Sequence, residues 1–566
     1  MSDPQPDPQQ GLRVPHRVVV IGHGMVGARL ADELSRRDAD GALDVTVLGA
    51  EPYEPYNRVL LSDVVAGRTD VAAIGMPMVD DGRTRVLRGT AATAVDRDAR
   101  VVLTDEGTRH PYDHLVIATG AAARLPDVPG LGSDPAALPA GVHALRTLDD
   151  AREVVAATVN TPRAVVVGGG VLGVEVALGL SGRGLPATLV HGAGAPMDRQ
   201  LDDEAGAVLR AGLEAAGVAV RTGVRPQEVL VVGGRAVGVR LDGATTEPGE
   251  TLGAGLVVLA CGTAPETALA RRSGLAVERG VVVGPDLASV TDPRVFAVGD
   301  CAQPPEGSRG LVAEGWDQAR RLAEHLVALA ARPRPAEVPA APREHLRLPG
   351  DGAGPSMAVR LGTLLSSRAP GARAGGVDSR GTDVVKVKAG PLSVVAMGRC
   401  GTGRVPAPGE RAVRLGDPAA GRYVEAVVAG GVLVGATCVG DARVAADLTA
   451  AYTRRTPVPA DPAFLLLAPV MPAAAAATSP EHMPDDATVC RCNGVTKHDI
   501  AACVADGATS KDDVARATRA TTGCGSCTEA VCGLVEWLAE ARPTRSEQAG
   551  QEDHEDHEVG EVHSSV

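Results

Sequence analysis

The sequence predicts an α/β protein with two Rossmann-like dinucleotide-binding domains, a small α/β domain and a small helical domain. Three observations predict this fold class. A β-branched segment runs into a glycine-rich turn at residue 22, the same arrangement returns at residue 168, and six of the ten cysteines fall within residues 490–532. Because 566 residues are too many for one hydrophobic core, we expect several domains.

The first turn has the pattern of a strand, a tight turn and a helix. Residues 18–21 form a β-branched run that is typical of a buried parallel strand. Gly22, Gly24 and Gly27 then form G-x-G-x-x-G. These glycines permit the tight turn, the close approach of a pyrophosphate and the packing of helix on strand, and the helix N-terminus offers N–H groups to phosphates.

Polar and small residues follow the next strands. Glu51 lies just after a strand predicted at 44–48, where an acid can bind ribose hydroxyls, although a plain surface glutamate is the alternative. Arg58 either belongs to a helix cap or contacts a cofactor. Thr119 and Gly120 end a strand at a point where a backbone can pass close to a ligand.

A second turn repeats the glycine spacing after a valine run. Its glycines are Gly168, Gly170 and Gly173. The strand that follows ends in His191 rather than an acid, and no arginine comes directly after it, so the choice between NADH and NADPH stays open. Two closing strands end at Gly262 and at Gly299-Asp300, where an aspartate can accept hydrogen bonds from a ribityl chain.

The set and order of these elements resembles the two-dinucleotide flavoprotein family of pyridine-nucleotide oxidoreductases, over residues 17 to about 329. The segments GHGMVG at 22–27, YNRVLLS at 56–62 and MDRQL at 197–201 look most like the nitrite reductase large subunit and the assimilatory nitrate reductase electron-transfer subunit. The resemblance implies FAD at the first turn and at Asp300, and NAD(P)H at the second turn. It also implies that Glu175 is the catalytic residue, at the flavin–nicotinamide junction. Ala264 departs from the family, which usually has an arginine there.

The C-terminal cysteines give the sharpest local signal. Cys490 and Cys492 form C-x-C, and Cys524 and Cys527 form C-x₂-C. Four thiolates can hold a tetrahedral metal or an iron–sulfur cluster. The surrounding segments resemble bacterioferritin-associated ferredoxin, which implies that these four cysteines bind a 2Fe-2S cluster; structural zinc is the alternative. The remaining cysteines are predicted to be core residues: Cys261, Cys301, Cys400, Cys438, Cys503 and Cys532.

These features predict the domain order. A disordered N-terminus (1–15) precedes the FAD domain (16–145 and 271–330), which encloses the NAD(P) domain (146–270). A linker (331–344), the small α/β domain (345–455), a second linker (456–487), the helical 2Fe-2S domain (488–541) and a disordered acidic tail (542–566) follow.

The composition argues against some classes of binding partner. The formal net charge is −14 with no long basic run, which argues against nucleic acid or an anionic membrane. The most apolar stretch, residues 463–478, is interrupted by Pro469 and Pro472, so no membrane span is predicted. Residues 1–15 lack the apolar core of a signal peptide, and we expect a cytoplasmic protein, with a homodimer possible.

Together the predicted cofactors imply a function. A nicotinamide delivers two electrons, a 2Fe-2S cluster takes one, and a flavin can do both. We therefore expect NAD(P)H, FAD and the cluster to serve the catalytic subunit of a nitrate or nitrite reductase. The alternatives are a reductase for a small electron-carrier protein such as ferredoxin or rubredoxin, and a redox-sensing or iron-mobilising interaction protein. No cysteine pair has the spacing of a sirohaem enzyme, so the sequence itself is not expected to reduce nitrite.

Overall fold

The computed structural model describes residues 14–76, 82–132, 134, 137–243, 247, 249–332, 383–390, 392–467, 480–490, 493–523 and 527–540. The predicted acidic tail, and nearly all of the predicted N-terminus and first linker, lie outside these residues. So does the first part of the predicted small α/β domain, up to residue 382.

The first part of the chain alternates strands and helices, as its periodicity predicts. Its elements are β1 (His16–Ile21), α1 (Met25–Arg37), β2 (Leu43–Gly49), α2 (Leu61–Ala66), β3 (Thr84–Arg88), β4 (Ala92–Asp96), β5 (Val101–Thr104), β6 (Arg109–Pro111), β7 (His114–Ile117) and β8 (Ala121–Ala123). Short 3₁₀ helices lie at Arg58–Leu60 and Val71–Ile74.

The second part continues this alternation. Its elements are β9 (Val142–Ala144), α3 (Leu148–Thr158), β10 (Ala164–Val167), α4 (Val171–Gly182), β11 (Ala187–His191), α5 (Asp203–Ala215), β12 (Val218–Thr222), β13 (Val224–Val232), β14 (Arg235–Gly243), β15 (Thr251–Gly253), β16 (Leu256–Leu259), β17 (Thr263–Pro265), α6 (Ala268–Arg272), β18 (Val281–Val282), β19 (Val295–Ala297), β20 (Ala302–Gln303) and α7 (Val312–Ala330).

Two parallel five-stranded sheets organise these elements. The first has the order β19-β7-β1-β2-β3, so the chain returns to it after the second sheet is complete. The second has the order β12-β11-β10-β16-β9. Their β-branched strands are buried on both faces, as parallel sheets require.

Both edges of the second domain differ slightly from the predicted boundaries. β9 ends at Ala144 and pairs with β16, so the second sheet begins before residue 146. On the other side, Leu269 and Ala270 already pack in the core of the first sheet. The chain passes between the two sheets at both points, and the apolar residues there are buried against whichever sheet lies nearer.

In its described residues, the third domain is an antiparallel sheet with one helix. Its elements are β21 (Val385–Ala389), β22 (Leu392–Gly398), β23 (Glu410–Asp417), β24 (Arg422–Ala429), β25 (Val432–Val439) and α8 (Ala442–Arg454). The sheet order is β21-β22-β25-β24-β23, and β24 and β25 form a hairpin. The domain shares a core with the second domain, because Val387 and Tyr423 pack in the same cluster as Leu213.

The predicted second linker is shorter than expected. A 3₁₀ helix at Pro462–Leu466 packs on the third domain, and Leu466 is buried in its core. Residues 456–467 are therefore a structured extension of that domain, because their apolar side chains find burial there.

The C-terminal domain contains β26 (Thr488–Cys490), β27 (Val495–Thr496), α9 (Lys497–Ala505), α10 (Lys511–Thr518) and α11 (Thr528–Glu540). Thr496 and Ser510 start α9 and α10 with capping boxes that use Asp499 and Asp513, which explains where these two helices begin. Among all the described helices, none is long and apolar enough to cross a membrane.

Candidate functional site

A crevice of about 2250 Å³ runs between the two parallel sheets. Both glycine-rich turns open into it, and the third and C-terminal domains contribute to its wall. The predicted site residues that line it are Gly22, Gly24, Glu51, Arg58, Thr119, Gly120, Gly168, Gly170, Glu175, Gly262, Gly299 and Asp300. The crevice therefore brings together residues that lie far apart in the sequence.

The glycines of the first turn have two different roles. Gly22 has φ +113°, and a Cβ there would lie 2.2 Å from the carbonyl oxygen of Ala118. A Cβ on Gly27 would lie 1.9 Å from the carbonyl oxygen of Gly22. At Gly24 the nearest atom is 3.8 Å away, on the side chain of Arg58. Gly22 and Gly27 are thus required by the fold, whereas Gly24 leaves room for a ligand.

The second turn repeats this division. Gly168 has φ +111°, and its Cβ would lie 2.3 Å from the carbonyl oxygen of Ala260. A Cβ on Gly173 would meet the carbonyl oxygen of Gly168 at 1.7 Å. Nothing in the described structure lies within 4 Å of a Cβ on Gly170. Each turn therefore offers open space at its second glycine, beside a helix N-terminus, and this geometry fits a dinucleotide phosphate.

Glu51 and Arg58 form an ion pair in the wall of the crevice. The hydroxyl of Tyr56 also donates to Glu51, at 2.7 Å, and the Arg58 guanidinium lies 5.0 Å from the centre of the Tyr56 ring. The capping role belongs to Asn57, whose side chain accepts from the N–H of Val59 at 3.0 Å. Arg58 is free of that task and faces the crevice.

Asp300 is held in the crevice by Arg146. The Arg146 guanidinium donates to Asp300 Oδ2 at 2.8 Å and to the carbonyl oxygen of Ala121 at 2.8 Å. Gly299 has φ +76°, and its N–H donates to the buried side chain of Gln318 at 2.7 Å. The Gly-Asp strand end is thereby fixed with one carboxylate oxygen of Asp300 anchored.

Thr119, Gly120 and Gly262 shape the floor of the crevice. The Thr119 hydroxyl donates to the carbonyl oxygen of Glu266 at 2.7 Å, which ties the two domains together. Gly120 and Gly262 have φ +73° and +90°, and a Cβ on either would meet no described atom within 4 Å. Their bare backbone borders open space in the crevice.

Glu175 is buried in α4, and its carboxylate is completely satisfied. It accepts from the Ser62 hydroxyl at 2.5 Å and from the backbone N–H of Lys388 at 2.8 Å. The Lys388 ammonium lies 3.0 Å from Asp63 Oδ2 and 3.5 Å from Glu175 Oε2. Burial raises the pKa of Glu175, and the Lys388 charge opposes that shift.

Lys388 was not predicted from the sequence. It lies in β21 of the third domain, to which sequence analysis assigned no chemistry. The available signal was the pair Lys386 and Lys388 at alternate positions of a strand, which places both side chains on one face. Both residues line the crevice.

His191 occupies the position where an acid often binds ribose hydroxyls. Its Nδ1 accepts from the N–H of Gly169 at 3.1 Å, and its Nε2 lies 3.0 Å from Asp198, so the proton is assigned to Nε2. Arg199 and Arg225 line the same end of the crevice. This end is therefore more basic than the strand alone indicated.

The C-terminal domain buries Cys490 and Cys527 side by side. A hydrogen bond from Cys527 is the largest cause that lowers the pKa of Cys490 to about 6, with further hydrogen bonds from Asn493 and Thr521. Asn493 Nδ2 lies 3.6 Å from the Cys490 sulfur. Such donors stabilise thiolates and fit a cluster bound by sulfur. Cys492 and Cys524 lie outside the described residues.

The other cysteines have the character of packing residues. Cys301 and Cys438 are buried, in agreement with the prediction. Cys261 and Cys503 are partly buried and pack against neighbouring cores. Burial raises the pKa of Cys261 and of Cys438 to about 11, so neither is a ready nucleophile.

Two protein families match the chain. The model for the pyridine nucleotide-disulphide oxidoreductases matches residues 16–335. The chain belongs to this family. A BFD-like 2Fe-2S binding domain matches residues 488–537. This pyridine nucleotide-disulphide oxidoreductase thus has the cofactor set FAD, NAD(P)H and 2Fe-2S cluster, as predicted, and the open second glycines and paired cysteines fit these groups.

Curated relatives of this oxidoreductase include enzymes of nitrogen metabolism. It is 29% identical over 515 residues to NAD(P)H nitrite reductase from Bacillus subtilis (strain 168), covering 90% of this chain and 56% of that one. It is 26% identical over 533 residues to the assimilatory nitrate reductase electron transfer subunit of the same organism, covering 94% and 60%. The chain therefore spans little more than half the length of these two relatives.

A shorter relative and a solved structure share the two-domain part. Rhodocoxin reductase from Rhodococcus erythropolis is 35% identical over 319 residues, which cover 55% of this chain and 71% of that one. The covalent putidaredoxin reductase–putidaredoxin complex superimposes with a TM-score of 0.61 at 23% identity, covering 80% of this chain and 95% of that one. This solved structure shows that the chain shares its fold.

Proposed function

We propose that this flavoprotein passes electrons from NAD(P)H through FAD and the 2Fe-2S cluster to the catalytic subunit of a nitrate or nitrite reductase. One observation carries the proposal: a single crevice contains both nucleotide turns, the Glu175–Lys388 pair and the edge of the cysteine domain. The cytoplasmic location and a possible homodimer are part of the same proposal.

The chain's own residues would act mainly by positioning. When bound, FAD exchanges two electrons with a nicotinamide and single electrons with an iron–sulfur cluster. Gly24 and Gly170 leave space for phosphates beside the N-termini of α1 and α4. Asp300, anchored by Arg146, has a second carboxylate oxygen available for a ribityl hydroxyl.

Glu175 and Lys388 would control charge between the two nucleotide sites. The Lys388 charge opposes the rise that burial causes in the pKa of Glu175, and the two side chains would border the reacting rings as a fixed pair. Cys490, Cys492, Cys524 and Cys527 would bind the cluster. Asn493 would donate a hydrogen bond toward the sulfur of Cys490.

A second candidate, reduction of a small ferredoxin-type carrier, is favoured by the similarity to rhodocoxin reductase over the two dinucleotide domains. The two functions differ in the acceptor. A ferredoxin-type acceptor would take electrons without any need for a molybdenum or sirohaem partner.

An anaerobic absorbance titration tests the electron path. We expect one nucleotide, NADH or NADPH, to bleach both the flavin bands and the broader iron–sulfur absorbance. A flavin that bleaches while the cluster stays oxidised would overturn the proposal. Addition of an oxidised nitrate reductase catalytic subunit or of ferredoxin to the reduced enzyme then identifies which acceptor restores the spectrum faster.

A further inference from the structure

The cysteine domain is docked on helix α1 of the first domain through a buried ion pair. Arg519 in the C-terminal domain pairs with Asp32, and their side chains are only 7% and 0% exposed. Asp32 is also held by Arg36, whose Nε lies 3.2 Å from its Oδ2. Two charges leave water at low cost only when they are paired, so this contact requires the docked arrangement.

Hydrogen bonds surround the ion pair. Arg36 donates to the carbonyl oxygens of Arg516 and Ala517 at 3.1 and 3.3 Å. Arg29 donates to Asn493 Oδ1 at 2.9 Å. Three hydrogen bonds from two arginines of α1 thus align the C-terminal domain with this helix.

The docked domain presents its cysteine-bearing segments to the crevice. Asn57, next to Arg58, donates to the carbonyl oxygens of Thr522, at 3.0 Å, and of Gly523. Gly523 directly precedes Cys524 in the sequence. Asn493 bonds to Arg29 with its oxygen and to the Cys490 sulfur with its nitrogen. Asn493, Gly494 and Gly523 all line the crevice wall.

We propose that a docking surface formed by Arg29, Asp32 and Arg36 of α1 together with Asn57 is where the 2Fe-2S domain receives electrons from the flavin, and that Arg519 holds the domain there. This proposal rests on the proposed function and adds its internal route. Electron transfer slows steeply with distance, and the surface brings the segments next to Cys490 and Cys524 to the flavin crevice. The transfer then needs no second molecule.

The test uses the full-length holoenzyme with Asp32→Asn and, separately, Arg519→Gln. Asp32→Asn leaves the buried Arg519 guanidinium facing a neutral amide, and Arg519→Gln leaves the buried Asp32 paired with Arg36 alone, so the C-terminal domain should leave α1. We expect flavin reduction by NAD(P)H at the wild-type rate, cluster reduction at least tenfold slower in stopped-flow absorbance, and a larger radius of gyration in X-ray scattering. Arg519→Lys keeps a positive charge, so it should restore part of the wild-type rate of cluster reduction and part of the wild-type radius of gyration.

A control variant and a milder variant complete the test. Arg516→Gln is the control, because the side chain of Arg516 pairs with Asp513 inside its own domain and only its backbone faces α1. It should change neither readout. If the buried-charge variants fail to fold, Arg36→Ala retains the Asp32–Arg519 pair and removes the Arg36–Asp32 ion pair together with the two hydrogen bonds to Arg516 and Ala517. It should slow cluster reduction by a smaller factor.

The outcomes distinguish failure of the docking route from failure of the proposed function. A variant whose domain is released in scattering but whose cluster is reduced at the wild-type rate would overturn the docking route. A variant with wild-type scattering and wild-type cluster reduction would show that Arg519 does not hold the domain, which also overturns it. A wild-type enzyme that reduces its flavin and never its cluster would refute the proposed function, and this route with it.

Discussion

The carboxylate of Glu175 and the ammonium of Lys388 lie 3.5 Å apart, although α4 and β21 belong to different domains. Lys388 also bonds to Ser62 and Asp63 of the first domain. One lysine therefore joins the first, second and third domains at the crevice. The third domain therefore contributes to the wall of the crevice and does not merely follow the two dinucleotide domains in the chain.

Replacing Lys388 should make stability depend more strongly on pH. In Lys388→Met, the pKa of Glu175 rises further, because the Lys388 charge is the largest influence that opposes burial. A carboxyl whose folded pKa exceeds its unfolded pKa loses stability as pH rises from the unfolded value toward the folded one. We expect destabilisation of about 2 kcal/mol near neutral pH, which grows as the pH rises above the ordinary titration range of a carboxyl group. Thermal unfolding across pH measures it.

Two variants control that experiment. Lys388→Arg retains the charge and should retain most of the stability. Adding Glu175→Gln to Lys388→Met removes the titrating group and should abolish the extra pH dependence. A deficit that is equal at every pH would contradict the assigned coupling between the two residues.

The two kinds of glycine should respond differently to alanine. Gly170→Ala adds a methyl group into open space, so we expect normal folding and flavin content with at least a tenfold higher KM for NAD(P)H. Gly173→Ala places a Cβ 1.7 Å from a backbone oxygen and should destabilise the second domain by about 3 kcal/mol. Steady-state kinetics and thermal unfolding separate them. Unchanged KM in Gly170→Ala would contradict a phosphate site there.

Arg225 should influence the choice of nucleotide. His191 and Asp198 are bonded to each other, and Arg225 Nε lies 3.0 Å from the position of a Cβ on Gly192, the residue after His191. A guanidinium can bind a 2′-phosphate. We expect NADPH to be preferred, and Arg225→Ala to raise the KM for NADPH about tenfold with little change for NADH. Arg221→Ala is the control, since Arg221 pairs with Glu250. Equal effects on both nucleotides would exclude this role.

Cys490 should be required for the cluster and not for the flavin. We expect Cys490→Ser to lose iron and long-wavelength absorbance and to keep a normal flavin spectrum, because the two sites lie in separate domains. Cys503→Ser, on α9 of the same domain, should retain iron. Iron analysis and absorbance spectra show whether each variant retains the cluster and the flavin. Zinc in place of iron in the wild-type protein would instead support the structural-zinc alternative.

The local parts of the site follow from short segments of sequence. The turns at Gly22 and Gly168, the Gly299-Asp300 strand end and the capping boxes at Thr496 and Ser510 depend on residues a few positions apart, and the structure contains each of them. The linker after residue 455 was predicted less well. Its composition resembles a linker, yet Leu466 is buried because a neighbouring sheet offers an apolar surface.

The sequence by itself determined the two strand–turn–helix units, their order and the cysteine pattern, because backbone geometry and ligand spacing depend on neighbouring residues. Only the tertiary structure decided that Lys388 reaches Glu175, that Arg225 lies beside His191 and that Arg519 reaches Asp32. Those contacts join residues far apart in the chain. They arise from how the domains pack and which charges must be paired when water is excluded, and no local pattern encodes that.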